Sequence, residues 1–213
     1  LTAQEKLDEL KSDFVSMVSH ELRSPLAGMK AALEVLMEAD CDEAESRKLL
    51  NTAHAQGERL AGFVEDVLNV SALQSGTVEI KKEPVPIKPL VETSMERTRQ
   101  AWPEHEFKCA ASKEQAFVLA DRSKVLVVLD NLLNNAAKYS APGSTVSVHV
   151  KKQPGGNVAV KVEDRGEGVT PENREKIFER FFRADPCHNN GGHGLGLYIT
   201  RCLVEAHGGT IWL

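Results

Sequence analysis

The chain contains a pair of adjacent residues suited to nucleophilic chemistry, His20 followed directly by Glu21. A neutral imidazole nitrogen is a nucleophile, and a carboxylate that accepts a hydrogen bond from the other ring nitrogen fixes the tautomer and raises reactivity. Glu21 is therefore a candidate orienter and general base for His20. Pro25 should kink the surrounding helix, because it removes a backbone donor. Taken alone, the pair is also typical of a solvated helix surface.

Asn131 and Asn135 form a second group, four residues apart and so on one face of a predicted helix. Neutral amide oxygens can ligate Mg²⁺ without adding negative charge beside phosphates, and Mg²⁺ prefers few protein ligands. Asn134 is one step off this face and is expected at the surface. For either asparagine alone, a polar residue on a core helix is the alternative.

Asp164-x-Gly166-x-Gly168 directly follows a predicted strand. Its glycines permit a positive φ and a close approach of the backbone to a ligand. The same pattern is also common in ordinary turns. It is a candidate binding motif only because the asparagine pair and a glycine-rich stretch occur in the same chain.

A glycine-rich stretch, Gly192-x-Gly194-x-Gly196, opens the last predicted helix. The free N–H groups at a helix N-terminus bind anions. The stretch is neither a Walker motif, since no Lys-Ser/Thr follows, nor a Rossmann fingerprint, since a polar loop precedes it. With the asparagines it predicts a site for a polyanion such as a nucleotide.

Two long helices are expected to position His20. Apolar residues step by three and four over 10–17 and, in a different phase, over 22–36. His20 lies in the phase shift and in neither row, so it should be accessible. After a polar break with Asp42 as candidate N-cap, a second helix carries a heptad-like row. Its members are Leu49, Ala53, Gln56, Leu60, Phe63, Val67 and Val70.

Two such narrow apolar seams cannot be buried within one hairpin, so self-association into a four-helix bundle is predicted. A helical spacer is the alternative, but it leaves the exposed His-Glu pair unexplained. A linker at 74–77 divides the chain into predicted domains 1–75 and 76–213.

In the second domain the spacing of apolar residues along the chain changes, which predicts alternating strands and helices. The fold class is α+β: a helical hairpin forming a dimeric four-helix bundle, then an α/β sandwich in which helices cover a mixed sheet. Predicted strands are 78–82, 106–110, 116–120, 145–151 and 158–163, the last two joined by a turn at 154–156. Predicted helices are 90–101, a helix capped by Asp121 and ending near 139, 171–182, and 195–207, with a polar loop at 183–193.

Composition excludes several classes of function. No apolar run approaches the roughly eighteen residues of a membrane span and no signal peptide is visible, so we expect no membrane contact within this fragment. Residues 1–76 hold 7 Lys+Arg against 14 Asp+Glu, and the rest 19 against 17. An acidic helical half argues against nucleic acid. The cysteines lack paired spacing, which suits a reducing, cytoplasmic location. They are Cys41, Cys109, Cys187 and Cys202.

In order and spacing, these motifs resemble those of the sensor histidine kinases of two-component signalling, over nearly all 213 residues. The resemblance implies a GHKL-type domain that binds ATP with Mg²⁺ and phosphorylates His20. It further implies transfer of the phosphoryl group to an aspartate on a response regulator receiver domain, and a homodimer formed through the hairpin.

The resemblance also implies residue roles. Asn135 would hold the metal, and Asp164 would accept a hydrogen bond from the adenine amino group. The loop 183–193 would be a mobile lid with Arg183 as a phosphate-side cation. Phe178, Phe181 and Phe182 would form its hydrophobic hinge, and Cys187, His188 and His193 would be solvated loop residues rather than metal ligands. The implied nucleotide-binding set is Asn131, Asn135, Lys138, Tyr139, Asp164, Gly166, Gly168, Arg183, Gly192, Gly194, Leu195, Gly196 and Leu197.

Ser24 departs from the family pattern, because many relatives carry Thr or Asn there for dephosphorylation of the regulator. A serine hydroxyl can still orient water, so a phosphatase role for Ser24 stays open. Two other interpretations remain. One is an ATPase without histidine chemistry, as in chaperones and DNA-repair proteins, which the His-Glu hairpin disfavours. The other is a dimerisation module with decayed motifs, which the intact asparagine and glycine motifs disfavour.

Overall fold

The computed structural model describes residues 3–38, 41–75, 79–111, 116–184 and 192–213. Close contacts divide the chain into two compact units, Leu1–Ser71 and Ala72–Leu213. Within the described residues, every helix falls short of the length or apolar character that crossing a bilayer requires. Of the predicted linker at 74–77, Gln74 is the last residue of the second helix, Ser75 lies in a turn, and residues 76–77 lie outside the described residues, so the domain boundary stays a prediction.

The first unit is a hairpin of two helices, α1 (Ala3–Glu38) and α2 (Glu43–Gln74). Asp42 caps α2 as predicted: its Oδ1 accepts from the Glu45 N–H at 2.8 Å, and its own N–H donates to Glu45 Oε2 at 3.4 Å. This reciprocal pair is a capping box, which satisfies two backbone donors at the helix start. The capping box thus sets where the second helix begins.

The predicted apolar row of α2 is the buried side of that helix. Ala53, Phe63 and Val70 are buried, and the row's other members are half-buried. On α1, Pro25 lies inside an uninterrupted helix and is itself buried. The predicted apolar row of α1 over 22–36 is only partly buried. Residues 22, 29 and 36 are half-buried, whereas Leu26 is exposed. One side of the hairpin therefore keeps apolar residues in solvent.

The described strands of the second unit form two small sheets. In the first, β1 (Glu83–Pro86) pairs antiparallel with the third strand of the chain, β3 (Phe117–Ala120). In the second, β2 (Glu106–Ala111) runs parallel to β4 (Thr145–Lys152), which pairs antiparallel with β5 (Val158–Glu163). The mixed sheet predicted from the sequence is thus present, with β1 and β3 standing apart from it.

Three helices complete the second unit: α3 (Ile87–Ala101), α4 (Arg122–Tyr139) and α5 (Gly196–Ala206). The alternation of β4 directs Val146 and Val148 inward, where they join Leu90 of α3 and Leu133 of α4 in one core, all 0% exposed. Full burial of such a side chain stabilises by about 1.5–3 kcal/mol. The core therefore holds α4, which carries the asparagine pair, against the sheet.

Asp121 anchors the start of α4, as predicted. Its Oδ1 accepts from the backbone N–H groups of Ser123 (3.0 Å) and Lys124 (3.2 Å). The hydrogen bond from the Ser123 hydroxyl is the largest of the causes that lower the Asp121 pKa to about 2. The Asp121 N–H also donates to His207 Nε2 at 3.0 Å, which ties the start of α4 to the end of α5.

Two predicted elements are wrong. Residues 79–82 form no strand, because the partner strand β3 pairs with 83–86 instead. The predicted helix 171–182 is absent, and only two short 3₁₀ turns occur, Pro171–Asn173 and Lys176–Phe178. Phe181 has φ 62°, and its N–H donates to Gly194 O at 2.8 Å. A backbone committed to this contact cannot continue a right-handed helix.

Candidate functional site

His20 is presented to solvent beside a carboxylate that is mostly buried. The His20 side chain is 77% exposed, whereas that of Glu21 is 19% exposed. His20 Nδ1 lies 3.6 Å from Glu21 Oε1, which makes Nδ1 the nitrogen that faces the carboxylate. Nε2 is then the nitrogen available to an incoming electrophile. Ser24 is exposed one turn later, on the same side of α1 as His20.

Arg59 of α2 joins this pair, and sequence reasoning missed it. Its Nη2 lies 4.0 Å from Glu21 Oε2, across the hairpin from α1. The only signal in the sequence is a charged residue beside the apolar row of α2, next to Leu60. Such a position is also typical of a solvated arginine, so its partner could not be read from the spacing.

In the second unit, the asparagine pair lies against the glycine-rich helix start. Asn131 Nδ2 donates to Gly196 O at 3.4 Å, and Asn135 is half-buried one turn further along α4. Asn134 points elsewhere: its Nδ2 donates to Asp130 O at 2.8 Å, and its Oδ1 accepts from Trp102 Nε1 at 3.1 Å. Asn134 therefore makes its contacts away from the face of α4 that carries Asn131 and Asn135.

Lys138 brings a cation to the same region. A Cβ placed on Gly192 would lie 2.5 Å from Lys138 Nζ, so the amine lies directly against this glycine. The same Nζ is 4.8 Å from the centroid of the Tyr139 ring, within cation–π range. The end of α4 and the first glycine of the motif therefore meet around one positive charge.

The Asp164 motif forms a tight turn after β5. Asp164 Oδ1 accepts from the Gly166 N–H at 2.8 Å, and the Asp164 side chain is exposed. A Cβ on Gly166 would collide with the carbonyl oxygen of Tyr139 at the end of α4. Glycine is thus required where the turn crosses α4, and the turn holds the carboxylate at the edge of the same region.

The central glycine of the glycine-rich stretch, Gly194, packs against backbone rather than a side chain. Gly194 has φ +67°, and a Cβ there would lie 2.6 Å from the carbonyl carbon of Phe181. Because the Phe181 N–H bonds Gly194 O, the two ends of the segment 182–193 are held together. Leu195 is 0% exposed, so only its backbone can face a ligand. Arg183 is half-buried at the other end of the segment.

The structure therefore brings part of the predicted set together around the C-terminal half of α4, namely Asn131, Asn135, Lys138, Tyr139, Gly166, Gly192 and Gly196. This surface offers amide oxygens, backbone N–H groups and one lysine amine to a ligand. Among the described residues, no three His, Cys, Asp or Glu side chains cluster as a metal site. A Mg²⁺ ion, which accepts neutral amide oxygens, fits this donor set when phosphate and water oxygens complete its shell.

Family models match both halves of the chain. The family model described as His Kinase A (phospho-acceptor) domain matches residues 10–76. The model described as histidine kinase-, DNA gyrase B-, and HSP90-like ATPase matches residues 120–213. The sensor protein kinase WalK of Staphylococcus aureus is 34% identical over 216 residues, which cover 100% of this chain and 36% of that protein.

Solved structures give the same result. The mycobacterial sensor histidine kinase MprB is 35% identical, with 60% of this chain and 80% of that chain covered and a TM-score of 0.53. The histidine kinase ThkA, crystallised in complex with the response regulator TrrA, shares the fold with a TM-score of 0.74 at 24% identity. That match covers 98% of this chain and 59% of the other.

These matches define a phospho-acceptor hairpin followed by a nucleotide-binding ATPase fold. The chain belongs to the sensor histidine kinase family of two-component signalling. It spans about 36% of the length of WalK.

Proposed function

We propose that this chain phosphorylates its own His20 with ATP and passes the phosphoryl group to an aspartate of a response regulator. The observation that carries this proposal is an exposed imidazole whose Nδ1 faces the Glu21 carboxylate. A histidine with a structural role would be expected to pack or pair through both ring nitrogens. The family models support the proposal, since one is a phospho-acceptor domain and the other an ATPase.

In the proposed reaction, His20 Nε2 attacks the γ-phosphorus of ATP in line with the bond to the β–γ bridging oxygen. The N–P bond forms as that P–O bond breaks, and ADP leaves. Glu21 accepts a hydrogen bond from Nδ1–H, which stabilises the positive charge that develops on the ring, and then takes that proton as general base to leave a neutral phosphoimidazole. Alignment of the reacting atoms and neutralisation of the phosphate charge account for most of the lowering of the activation barrier. Mg²⁺, when bound, supplies part of that neutralisation.

The second unit would bind the nucleotide, within a catalytic domain proposed to span 76–213 next to a phosphotransfer domain of 1–75. Asn135 would ligate the metal, and Asp164 would accept from the adenine amino group. The remaining residues would contact phosphates or nucleoside through side chains or backbone. They are Asn131, Lys138, Tyr139, Gly166, Gly168, Arg183, Gly192, Gly194, Leu195, Gly196 and Leu197.

A response regulator is the proposed acceptor of the phosphoryl group. The related ThkA was crystallised with such a regulator, TrrA, which supports this choice of partner. Ser24 lies one turn beyond His20 and is exposed. We assign its hydroxyl to the orientation of water during dephosphorylation of the regulator. That phosphatase step uses no atom of ATP and is separable from kinase activity.

Labelling with γ-³²P-ATP and Mg²⁺ tests the proposal. The wild-type chain should acquire label that is stable in alkali and lost in acid, as expected for a phosphoramidate. His20→Gln should remove it, because no imidazole remains at that position. His54→Gln is the matched control: His54 is another exposed histidine of the same hairpin and should not be needed. Label that persists in His20→Gln would contradict the proposal.

A further inference from the structure

We propose that Arg59 is a positioning residue that holds Glu21 in the orientation in which its other oxygen faces His20. This inference rests on the proposed function and assigns a role to a residue outside the motifs of the sequence. The carboxylate divides its two oxygens. Oε1 lies 3.6 Å from His20 Nδ1 on the same helix, and Oε2 lies 4.0 Å from Arg59 Nη2 on the other.

Glu21, in the middle of this chain of contacts, has the least exposed side chain of the three, as a positioned base requires. The His20 side chain is 77% exposed, Arg59 37% and Glu21 19%. The acceptor is thus open to a nucleotide, while the carboxylate is held between α1 and α2. A free glutamate has three rotatable side-chain bonds and would turn to water. A planar guanidinium on the opposite helix removes that freedom from Oε2.

Stability alone does not account for Arg59 at this position. A partly exposed ion pair at this distance contributes little to the free energy of unfolding. Arg59 Nε is buried and has no hydrogen-bond partner among the described residues. A buried donor without a hydrogen bond destabilises the fold by more than such an ion pair stabilises it. The unpaired Nε of Arg59 therefore destabilises the hairpin by more than the ion pair with Glu21 stabilises it. The orienting effect of Arg59 on Glu21 explains this arrangement better than stability does.

Three variants test this role: Arg59→Gln, Arg59→Lys and, as matched control, Arg47→Gln on an exposed part of the same helix. Arg59→Gln should lower kcat for autophosphorylation by about 10- to 100-fold, part of the usual contribution of a general base. KM for ATP should stay unchanged, because the nucleotide-binding residues belong to the other unit. Arg59→Lys should recover part of kcat, and Arg47→Gln should behave as wild type.

The pH profile separates positioning from structural support. Arg59→Gln removes the cation that faces Glu21 Oε2, so the pH profile of kcat should change shape in this variant. A merely structural role would lower kcat, the melting temperature and the dimer content together. It would leave the shape of the profile as it is, and that outcome would overturn the inference.

A measurement without turnover keeps this test apart from the proposed function. ¹⁵N chemical shifts of the His20 ring report its tautomer. The wild type should hold hydrogen on Nδ1, and Arg59→Gln should show a mixture of tautomers. If the wild type takes no label but the tautomer depends on Arg59, the proposed function fails and the positioning role stands. An unchanged tautomer together with unchanged kcat in Arg59→Gln would refute the role.

Discussion

The candidate nucleotide surface uses neutral groups where a charge would be expected. Asn131 and Asn135 present amides, and Gly192 to Gly196 present backbone N–H groups. Lys138 is the cation that the structure places against them. Neutral donors and acceptors let a tetra-anionic nucleotide bring its own metal ion without a competing carboxylate cluster. Charge is concentrated instead around His20, where Glu21 and Arg59 meet.

Replacing Asn135 by alanine tests the assignment of the metal ligand. Asn135→Ala removes the only side-chain oxygen assigned to Mg²⁺, so the affinity for Mg²⁺–ATP should fall at least tenfold, about 1.4 kcal/mol. Isothermal titration with a non-hydrolysable ATP analogue measures this. The thermal shift that the analogue produces should shrink accordingly.

Asn134→Ala is the matched control for that experiment. Asn134 is exposed and bonds Trp102 Nε1 and Asp130 O, away from the proposed ligand. This variant should lose some thermal stability but keep the analogue's affinity. Equal losses of affinity in both variants would mean that α4 as a whole, rather than the Asn135 amide, decides binding.

At the residue scale, the sequence predicted contacts between residues that are adjacent or regularly spaced within one helix. It did not predict contacts between residues of different helices. The contact of His20 with Glu21 follows from adjacent positions, and the common face of Asn131 and Asn135 from the helical repeat. Arg59 lies 38 positions from Glu21 and meets it only because α1 and α2 pack in one register. No local pattern encodes that register.

At the scale of elements, α4 organises the second unit. Its N-terminus is capped by Asp121, which also bonds His207 at the end of α5. Its middle carries the asparagines, and its last residue touches the Asp164 turn through the Gly166 contact. One helix thereby fixes the spacing of three sequence motifs that lie far apart in the chain.

Elements with strict periodicity were predictable, and those shaped by a tertiary contact were not. The β4–β5 hairpin follows from the alternation of apolar residues, and the predicted bounds 145–151 and 158–163 agree with the structure to within one residue. The predicted helix 171–182 has helical spacing but is overridden by burial of Phe178 and by the Phe181–Gly194 contact. Local preference is a weak prior when a distant backbone competes for the same groups.

The half-buried carboxyl of Asp66 on α2 predicts that the stability of the hairpin depends on pH. Burial, and secondly the charge of Glu65, raise the pKa of Asp66 from 3.8 to about 6. Between these values the unfolded chain has released the proton that the folded chain still holds. Stability should therefore fall as pH rises through this window and stay lower above it.

Asp66→Asn removes this effect, since an amide does not titrate. At pH 8 the variant should gain on the order of 1 kcal/mol after allowance for solvent screening, and at pH 4.5 much less. Thermal melts at both pH values measure the difference. Glu58→Gln, an exposed carboxyl on the same helix, should show no such contrast. An equal gain at the two pH values would show that Asp66 acts through packing rather than ionisation.

At the scale of the whole molecule, the hairpin leaves an apolar surface uncovered in the single chain. We call it the lateral apolar face, and its members are seven residues apart on α1 and fourteen and four residues apart on α2. They are Leu26 (56% exposed), Leu33 (42%), Leu50 (55%), Val64 (42%) and Leu68 (64%). Contiguous exposed side chains of this kind mark an interface. We propose that a second copy covers this face and completes a four-helix bundle.

Leu33→Glu tests the lateral apolar face. In a two-fold dimer each substitution occurs twice, and burial of a leucine contributes about 1.5–3 kcal/mol per copy, so the dimer should dissociate at micromolar concentration. Sedimentation equilibrium measures this directly. Val35→Glu is the matched control, because Val35 is also exposed (46%) but lies about 200° around α1 from Leu33, on the other flank. A dimer that survives Leu33→Glu but not Val35→Glu would place the interface on that other flank.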